Sequence, residues 1–164
     1  MVAHIAYAAQ TGLGVYYGQW REGEAFNPVL VEANSASFVE NGDVAGDNQT
    51  GVGHSVQIAL RTVLDDTYPV IAYGVGNGGD LSVSDEEHEI YTLRYADLSD
   101  AQSPVLTTLD DGLHIFLASC CATGRRFLDL TTNPSTGRVH VAYNRGRGAL
   151  SNANTTRALK YIGF

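Results

Sequence analysis

The stretch Val70-Ile71-Ala72-Tyr73 decides the fold, because nearly the same four residues occur twice more in the chain. The other two copies are His4-Ile5-Ala6-Tyr7 and His140-Val141-Ala142-Tyr143. Each copy alternates in the way expected of a half-buried β-strand. Self-similarity along a chain is typical of repeat architectures. The three copies therefore predict one equivalent strand in each of three structural repeats.

Other strands accompany this one in a fixed order. A shared strand follows each copy after a loop rich in glycine or asparagine, at residues 14–18, 92–96 and 158–162. A strand before a tight turn precedes two of the copies, at residues 55–60 and 126–130. A last strand is predicted at residues 28–32 and 104–108. From Ile58 to Leu128 and from Tyr73 to Tyr143 the offset is the same, 70 residues.

The unit is thus strand A, tight turn, strand B, loop, strand C, loop, strand D. Four antiparallel strands per repeat are typical of a β-propeller blade. We therefore predict an all-β fold, a β-propeller built of four-stranded antiparallel blades, of which about two and a half are present. The predicted units are residues 1–32 (strands B–D), 55–108 (strands A–D) and 126–164 (strands A–C) of a single propeller segment. A β-sandwich with accidentally similar strands is the alternative.

The repeat also resembles a known family. The segment Ser135-Thr136-Gly137-Arg138-Val139-His140-Val141-Ala142-Tyr143 resembles the turn and strand of sialidase-like, BNR-type propeller repeats. Leu93-Arg94-Tyr95-Ala96 resembles the strand that follows in such repeats. The Asp-box of true sialidases, Ser-x-Asp-x-Gly-x-x-Trp, is absent, so the resemblance is one of scaffold. It implies a propeller that serves as a lectin or an interaction platform.

A partial ring raises the question of what completes it. Propellers use about four to eight blades. An open arc would leave unpaired sheet edges and apolar blade faces. We expect either a longer chain, a homo-oligomer that closes the ring, or an open polymer formed by the same contacts.

Composition narrows the class of partner. The 164 residues carry a net charge of −8, which disfavours a nucleic-acid partner. No apolar run reaches the length of about 18 residues that a membrane span requires, and Met1-Val2-Ala3 leads directly into a strand with no signal peptide. Cys120 and Cys121 are neighbours and form neither a disulfide framework nor a metal-site spacing. Composition and resemblance together predict an extracellular or cell-surface protein.

Two binding sites compete. The longer B–C and D–A loops should emerge on one face, with Asp80, Arg125, Arg126 and Arg145 among their charged residues. Sugar recognition favours an aromatic face with planar polar groups nearby, and Trp20 with Arg21 and Tyr16 fits that chemistry on the opposite face. The alternative for Trp20 is packing between blades.

No catalytic or cofactor site is predicted. A sialidase-like hydrolase needs an arginine cluster, a tyrosine nucleophile with a glutamate partner, and an acid. Arg125, Arg126 and Glu89 fit such roles, but no spacing requires it. Calcium is an alternative at Asp43-x-x-x-Asp47-Asn48 and at Asp80 with Asp85-Glu86-Glu87, which we interpret as solvated acidic loops.

The predicted function is a non-catalytic propeller module that binds a glycan or another extracellular ligand. Two alternatives remain open: a fragment of a sialidase-like glycoside hydrolase, and a structural repeat that drives self-assembly.

Overall fold

The computed structural model describes residues 1–9, 14–33, 52–76, 87–117, 128–147 and 156–164, and every regular element among them is a β-strand. The strands are β1 (Ala3–Ala9), β2 (Gly14–Trp20), β3 (Val29–Glu32), β4 (Val52–Val63), β5 (Asp66–Gly76), β6 (Glu87–Asp97), β7 (Val105–Leu117), β8 (Leu128–Thr132), β9 (Val139–Arg147) and β10 (Thr156–Gly163). The all-β prediction is confirmed for this part of the chain.

The strands form antiparallel sheets that follow the chain order. Strands β1, β2 and β3 make a three-stranded sheet, which we call the first sheet. The other strands make a larger sheet ordered β10-β9-β7-β6-β5-β4, with β8 beside β9. Within it a single residue pair, His114 with Gly146, joins β7 to β9. We therefore treat β4–β7 as the second sheet and β8–β10 as the third. The described residues do not close into a barrel or a ring.

Most strands are longer than the sequence predicted, β4 and β7 among them. Strand β4 covers Val52–Val63 instead of residues 55–60. Strand β7 continues to Leu117, beyond the predicted residues 104–108. It does so across a β-bulge, because its pairing with β6 shifts between Leu93 and Arg94 and then resumes. A bulge lets one strand bend and continue in the same sheet.

The 70-residue offset does not carry over to the strand register. Ile58 lies opposite Ile71, whereas Leu128 lies opposite Tyr143, two residues beyond the position the offset predicts. The turns explain the shift, because Leu64 and Asp65 alone connect β4 to β5, whereas residues 133–138 connect β8 to β9. A shift of two residues keeps every side chain on its original face of the sheet.

The repeated stretch in β5 is buried on both faces, not half-buried as predicted. Val70, Ile71, Ala72 and Tyr73 are each 0% exposed. Val70 and Ala72 belong to a cluster shared with the third sheet. Ile71 and Tyr73 belong to a cluster shared with the first sheet. The second sheet is thus the middle layer of three stacked sheets.

A glycine in the third sheet fixes how closely the second and third sheets approach. Gly137 has φ +66° in the β8–β9 connection, and a methyl group there would collide with the backbone oxygen of Thr62 in β4. Positive φ suits glycine, and the contact leaves no room for a side chain.

We expect Gly137→Ala to destabilise the chain by about 1–3 kcal/mol more than Gly23→Ala, since overpacking adds to the cost of positive φ. Gly23 is the matched control because it has φ +82° with nothing within 4 Å of the added methyl group. The measurement is the free energy of unfolding from urea denaturation of both variants. Equal losses would show that the sheets separate freely at this point.

Candidate binding face

The first sheet has one covered and one open face. Successive side chains of a strand point to opposite faces. In β2, Val15 and Tyr17 are buried in the cluster shared with the second sheet. Tyr16, Gly18 and Trp20 therefore point to the other side, where no further sheet lies among the described residues.

Four aromatic side chains lie on this open face. Tyr7 lies opposite Tyr16 in the strand register, and the two rings stack with centroids 5.5 Å apart at 16°. Phe26, from the β2–β3 connection, tilts against Tyr7 at 6.3 Å. It also covers Gly18, where a methyl group would lie 2.5 Å from its ring. We call Tyr7, Tyr16, Phe26 and Trp20 the aromatic face.

The aromatic face is open to solvent at its margins. Trp20 is 44% exposed, and the apolar side chains of Ile5 and Leu30, on the same side of the sheet, are 38% and 46% exposed. Arg21 follows Trp20 and forms an ion pair with Glu24 at 3.9 Å. Both charged side chains are more than half exposed, so this pair contributes little to stability. The surface offers flat apolar rings with a cation beside them, which suits stacking against a flat or apolar partner.

Of the predicted binding residues, Tyr16 and Trp20 lie on the same side of β2, and Arg21 follows directly after the strand. Asp80, Arg125 and Arg126 lie outside the described residues, as do Cys120 and Cys121. Arg145 was expected in a loop but lies within β9, opposite Ala158 of β10. The long-loop binding face therefore stays a prediction.

Trp20 has a counterpart in each of the other sheets. Tyr16, Arg94 and Lys160 occupy equivalent positions, because each lies opposite the repeated tyrosine of its sheet. Four residues later come Trp20, Leu98 and Phe164. Leu98 is 2% exposed, in the cluster between the first and second sheets. The ring of Phe164 meets the edge of Tyr95 across the next interface, with centroids 5.0 Å apart. Both counterparts of Trp20 thus lie between sheets.

A hydrogen bond from tyrosine to carboxylate recurs at both interfaces. The Tyr73 hydroxyl donates to Glu32 at 2.5 Å, and the Tyr143 hydroxyl donates to Asp110 at 2.6 Å. Glu32 and Asp110 are equivalent, because each is the first residue paired beyond the bulge in its sheet. Sequence reasoning missed both acids, because Glu32 lies four residues after Pro28 whereas Asp110 lies six after Pro104, so the Pro-Val-Leu pattern does not align them.

Glu32 also meets a cation. Arg94 lies 3.6 Å from its other carboxylate oxygen and donates to the Thr108 hydroxyl at 2.5 Å, while its Nε is buried without a hydrogen-bond partner. Burial raises the pKa of Tyr73, and the hydrogen bond to Glu32 raises it further. The phenol therefore remains a donor at neutral pH. Tyr7, the equivalent tyrosine of the first sheet, meets no such carboxylate among the described residues.

Arg61 joins the second sheet to the third. Its Nε donates to the backbone oxygen of Gly137 at 2.8 Å, and its Nη1 lies 3.4 Å from Asp97. Nothing in the sequence pattern singled out this residue. Its contacts with another sheet and with its own sheet make it an interface residue.

Two histidines make the same contact in different sheets. His4 bonds to the Tyr17 hydroxyl at 2.8 Å, and His140 bonds to the Tyr161 hydroxyl, with the rings stacked at 6.0 Å and 5.7 Å. Because the two histidines occupy the same repeat position, the shared contact indicates a structural role for both.

The described residues contain no group of three or more metal-ligating side chains that could hold an ion. The acidic loops considered for calcium lie outside them, apart from Glu87 at the start of β6. No helix in the described part of the chain is long and apolar enough to cross a membrane.

Comparison with known proteins gives no relative: no family model matches the chain, and neither the curated proteins nor the solved structures gave a significant match.

We expect Tyr73→Phe to lower the free energy of unfolding by about 1–3 kcal/mol, because it leaves the carboxylate of Glu32 without its phenol donor. Tyr7→Phe is the matched control. It removes the same atom from the equivalent position and should change the free energy of unfolding by less than about 0.5 kcal/mol. Urea denaturation of both variants checks this, and similar losses in the two would contradict it.

Stability should also fall at alkaline pH. Burial and the charge of Asp97 raise the pKa of Tyr95 from 10.0 to about 12, although Arg61 acts the other way. Between these values the unfolded chain loses the proton that the folded chain keeps. The free energy of unfolding should therefore be steady below about pH 10 and fall as the pH rises toward 12. Urea denaturation at several pH values across this range measures the effect. In the control Tyr95→Phe, the free energy of unfolding should fall less steeply with pH. An equally steep fall in this variant would contradict the prediction.

Proposed function

We propose that this chain is a segment of a β-propeller that acts as a non-catalytic binding module, and that the aromatic face is its binding surface. The carrying observation is that Trp20, Ile5 and Leu30 are all at least 38% exposed on one side of the first sheet. Contiguous exposed apolar patches on soluble proteins mark interaction sites. An extracellular or cell-surface location is proposed with it, on sequence resemblance.

The propeller proposal draws support from the way the sheets stack. Antiparallel units follow one another in chain order and pack face to face. Each interface repeats the same bulge and the same tyrosine–carboxylate hydrogen bond. Blades arranged around a ring pack in this manner.

The favoured partner of the aromatic face is another sheet face of a protein. The position of Trp20 supports this partner, because its counterpart Leu98 is buried between the first and second sheets and its counterpart Phe164, 38% exposed, contacts Tyr95 across the next interface. A residue position that packs between sheets twice in one chain is suited to the same contact a third time. With a sheet face as the partner, Trp20 packs between two sheets. Glycan binding is then the second candidate function of the aromatic face.

Glycan binding is retained because of one specific observation. Trp20 is 44% exposed, and the charged side chains of Arg21 and Glu24 lie in the turn that follows it. A solvent-exposed indole beside planar polar groups suits the apolar face of a sugar ring and its hydroxyl groups.

Trp20 itself supplies the test, since it is the only tryptophan of the chain. We expect acrylamide quenching of its fluorescence to fall at least about twofold when the aromatic face is occupied, since contact removes the indole from solvent. The quenching is measured over a range of protein concentrations and, separately, with added neutral and acidic oligosaccharides. Protection by protein favours the sheet partner, and protection by a sugar favours the glycan.

Leu64→Asn provides the control, because Leu64 is 93% exposed in the β4–β5 turn and belongs to the second sheet. Its φ of 57° suits asparagine, so this variant removes an exposed apolar side chain without strain. Loss of Trp20 protection in this variant would point to nonspecific association. Quenching that stays constant under every condition would remove the aromatic face as a binding surface.

A further inference from the structure

We propose that the partner of the aromatic face is a second copy of this chain, docked through the open side of its third sheet. The inference rests on the proposed function and adds the identity of the partner and the surface that the partner uses.

The third sheet has an open face of its own. In β10, Leu159 and Tyr161 are 69% and 64% exposed. Ala142 lies opposite Tyr161 in the register, and His140 stacks on the Tyr161 ring. We call His140, Ala142, Leu159 and Tyr161 the tail face. The buried side chains of this sheet, such as Val141 and Tyr143, point the other way, toward the second sheet.

Equivalent surfaces in the other two sheets are covered. The repeated alanine and the second repeated tyrosine mark this surface in each sheet: Ala6 and Tyr17, Ala72 and Tyr95, Ala142 and Tyr161. Tyr17 is 3% exposed and Tyr95 is 4% exposed, whereas Tyr161 is 64% exposed. The first two are covered by the next sheet along the chain. The structure therefore shows, at two interfaces, which kind of surface covers the equivalent of the tail face.

The covering surface is also the same in both cases. The second sheet presents Ile71, Tyr73 and Leu98, and the third presents Val141, Tyr143 and Phe164. The equivalent side chains of the first sheet are Ile5, Tyr7 and Trp20. These three lie on the side of the first sheet that carries the aromatic face. The aromatic face and the tail face are thus the two halves of an interface that the chain already forms twice.

One contact can be named from this equivalence. Phe164 meets the edge of Tyr95 at 5.0 Å, and Leu98 shares a buried cluster with Tyr17. By the same relation Trp20 of one copy packs against Tyr161 of the next. Both side chains are large, exposed and aromatic, and residues of this kind commonly dominate the energy of an interface.

The two faces differ, so the contact is heterologous. Such an interface leaves each docked copy with one free face, and it generates a ring if the rotation closes and an open chain if it does not. If one copy has a disrupted aromatic face and the other a disrupted tail face, the pair retains one intact face of each kind. These two faces can form a single contact, and no third copy can add to it.

The experiment uses this property. We expect Trp20→Glu and Tyr161→Glu each to weaken self-association at least about tenfold, measured by light scattering across a concentration range. An equimolar mixture of the two variants should instead form a heterodimer whose mass does not increase further with concentration. Only the Tyr161→Glu chain then contains a tryptophan, so protection of Trp20 from acrylamide in the mixture reports the intended contact directly.

Two further variants keep the test decisive. Leu159→Glu alters the tail face at a second exposed position, and it replaces Tyr161→Glu if that variant does not fold by circular dichroism. Trp20→Ser similarly replaces Trp20→Glu. Leu64→Asn should associate as the unmodified chain does.

The outcomes separate this inference from the proposed function. An unmodified chain that stays monomeric at all concentrations overturns the second copy as partner, whereas sugar protection of Trp20 would then still support the aromatic face. Association that depends on Trp20 but not on Tyr161 or Leu159 also overturns the inference. A mixture that forms no heterodimer does the same. Heterodimers that stop at two chains support it.

Discussion

Burial of β5 on both sides is the constraint on which the rest of the structure depends. One strand supplies apolar groups to two different clusters, with Val70 and Ala72 on one side and Ile71 and Tyr73 on the other. A strand covered on both faces needs one packed layer in front of it and another behind it. The first and third sheets fill these places, and neither has a second covered face of its own among the described residues. The second sheet is therefore covered on both sides, and the outer faces of the first and third sheets are the two surfaces left open among the described residues.

Much of the strand order followed from the sequence, because repetition is visible in side-chain identity. The copies of the β5 stretch and of the strand after it marked equivalent positions, and the register pairs Tyr16, Arg94 and Lys160 with the repeated tyrosines as those copies predict. The lengths of the strands and the register of the outer strands could not be predicted from the sequence. They depend on turn length and on bulges at Val15 and Leu93, which the alternation of side chains does not reveal. A shift by an even number of residues preserves the pattern of faces, so the sequence looks the same with or without it.

The binding surface was predictable only in part. Tyr16, Trp20 and Arg21 stood out by residue type, and the structure places Tyr16 and Trp20 on the face that also carries Phe26. Glu32, Asp110 and Arg61 did not stand out, because acids and arginines near strand ends are common on any solvated surface. These residues lie at interfaces because their partners belong to the sheet that packs against them. The side-chain pattern of one sheet does not reveal which residues of another sheet it will contact. The charged loop residues Asp80, Arg125 and Arg126 remain a prediction of the sequence alone.

The tyrosine–carboxylate contacts have a consequence for how faithfully the layers assemble. The two interfaces use acids that differ by one methylene group, and Glu32 is also paired with a guanidinium, that of Arg94. Apolar faces of similar shape can stack in a wrong order at little cost, but a carboxylate enclosed without its proper donors is expensive. Arginine offers a planar fork of donors, and the Lys160 found at its position in the third sheet does not. The apolar side chains thus supply adhesion at both interfaces, and the partly buried acids disfavour a stacking order that removes their hydrogen-bond donors.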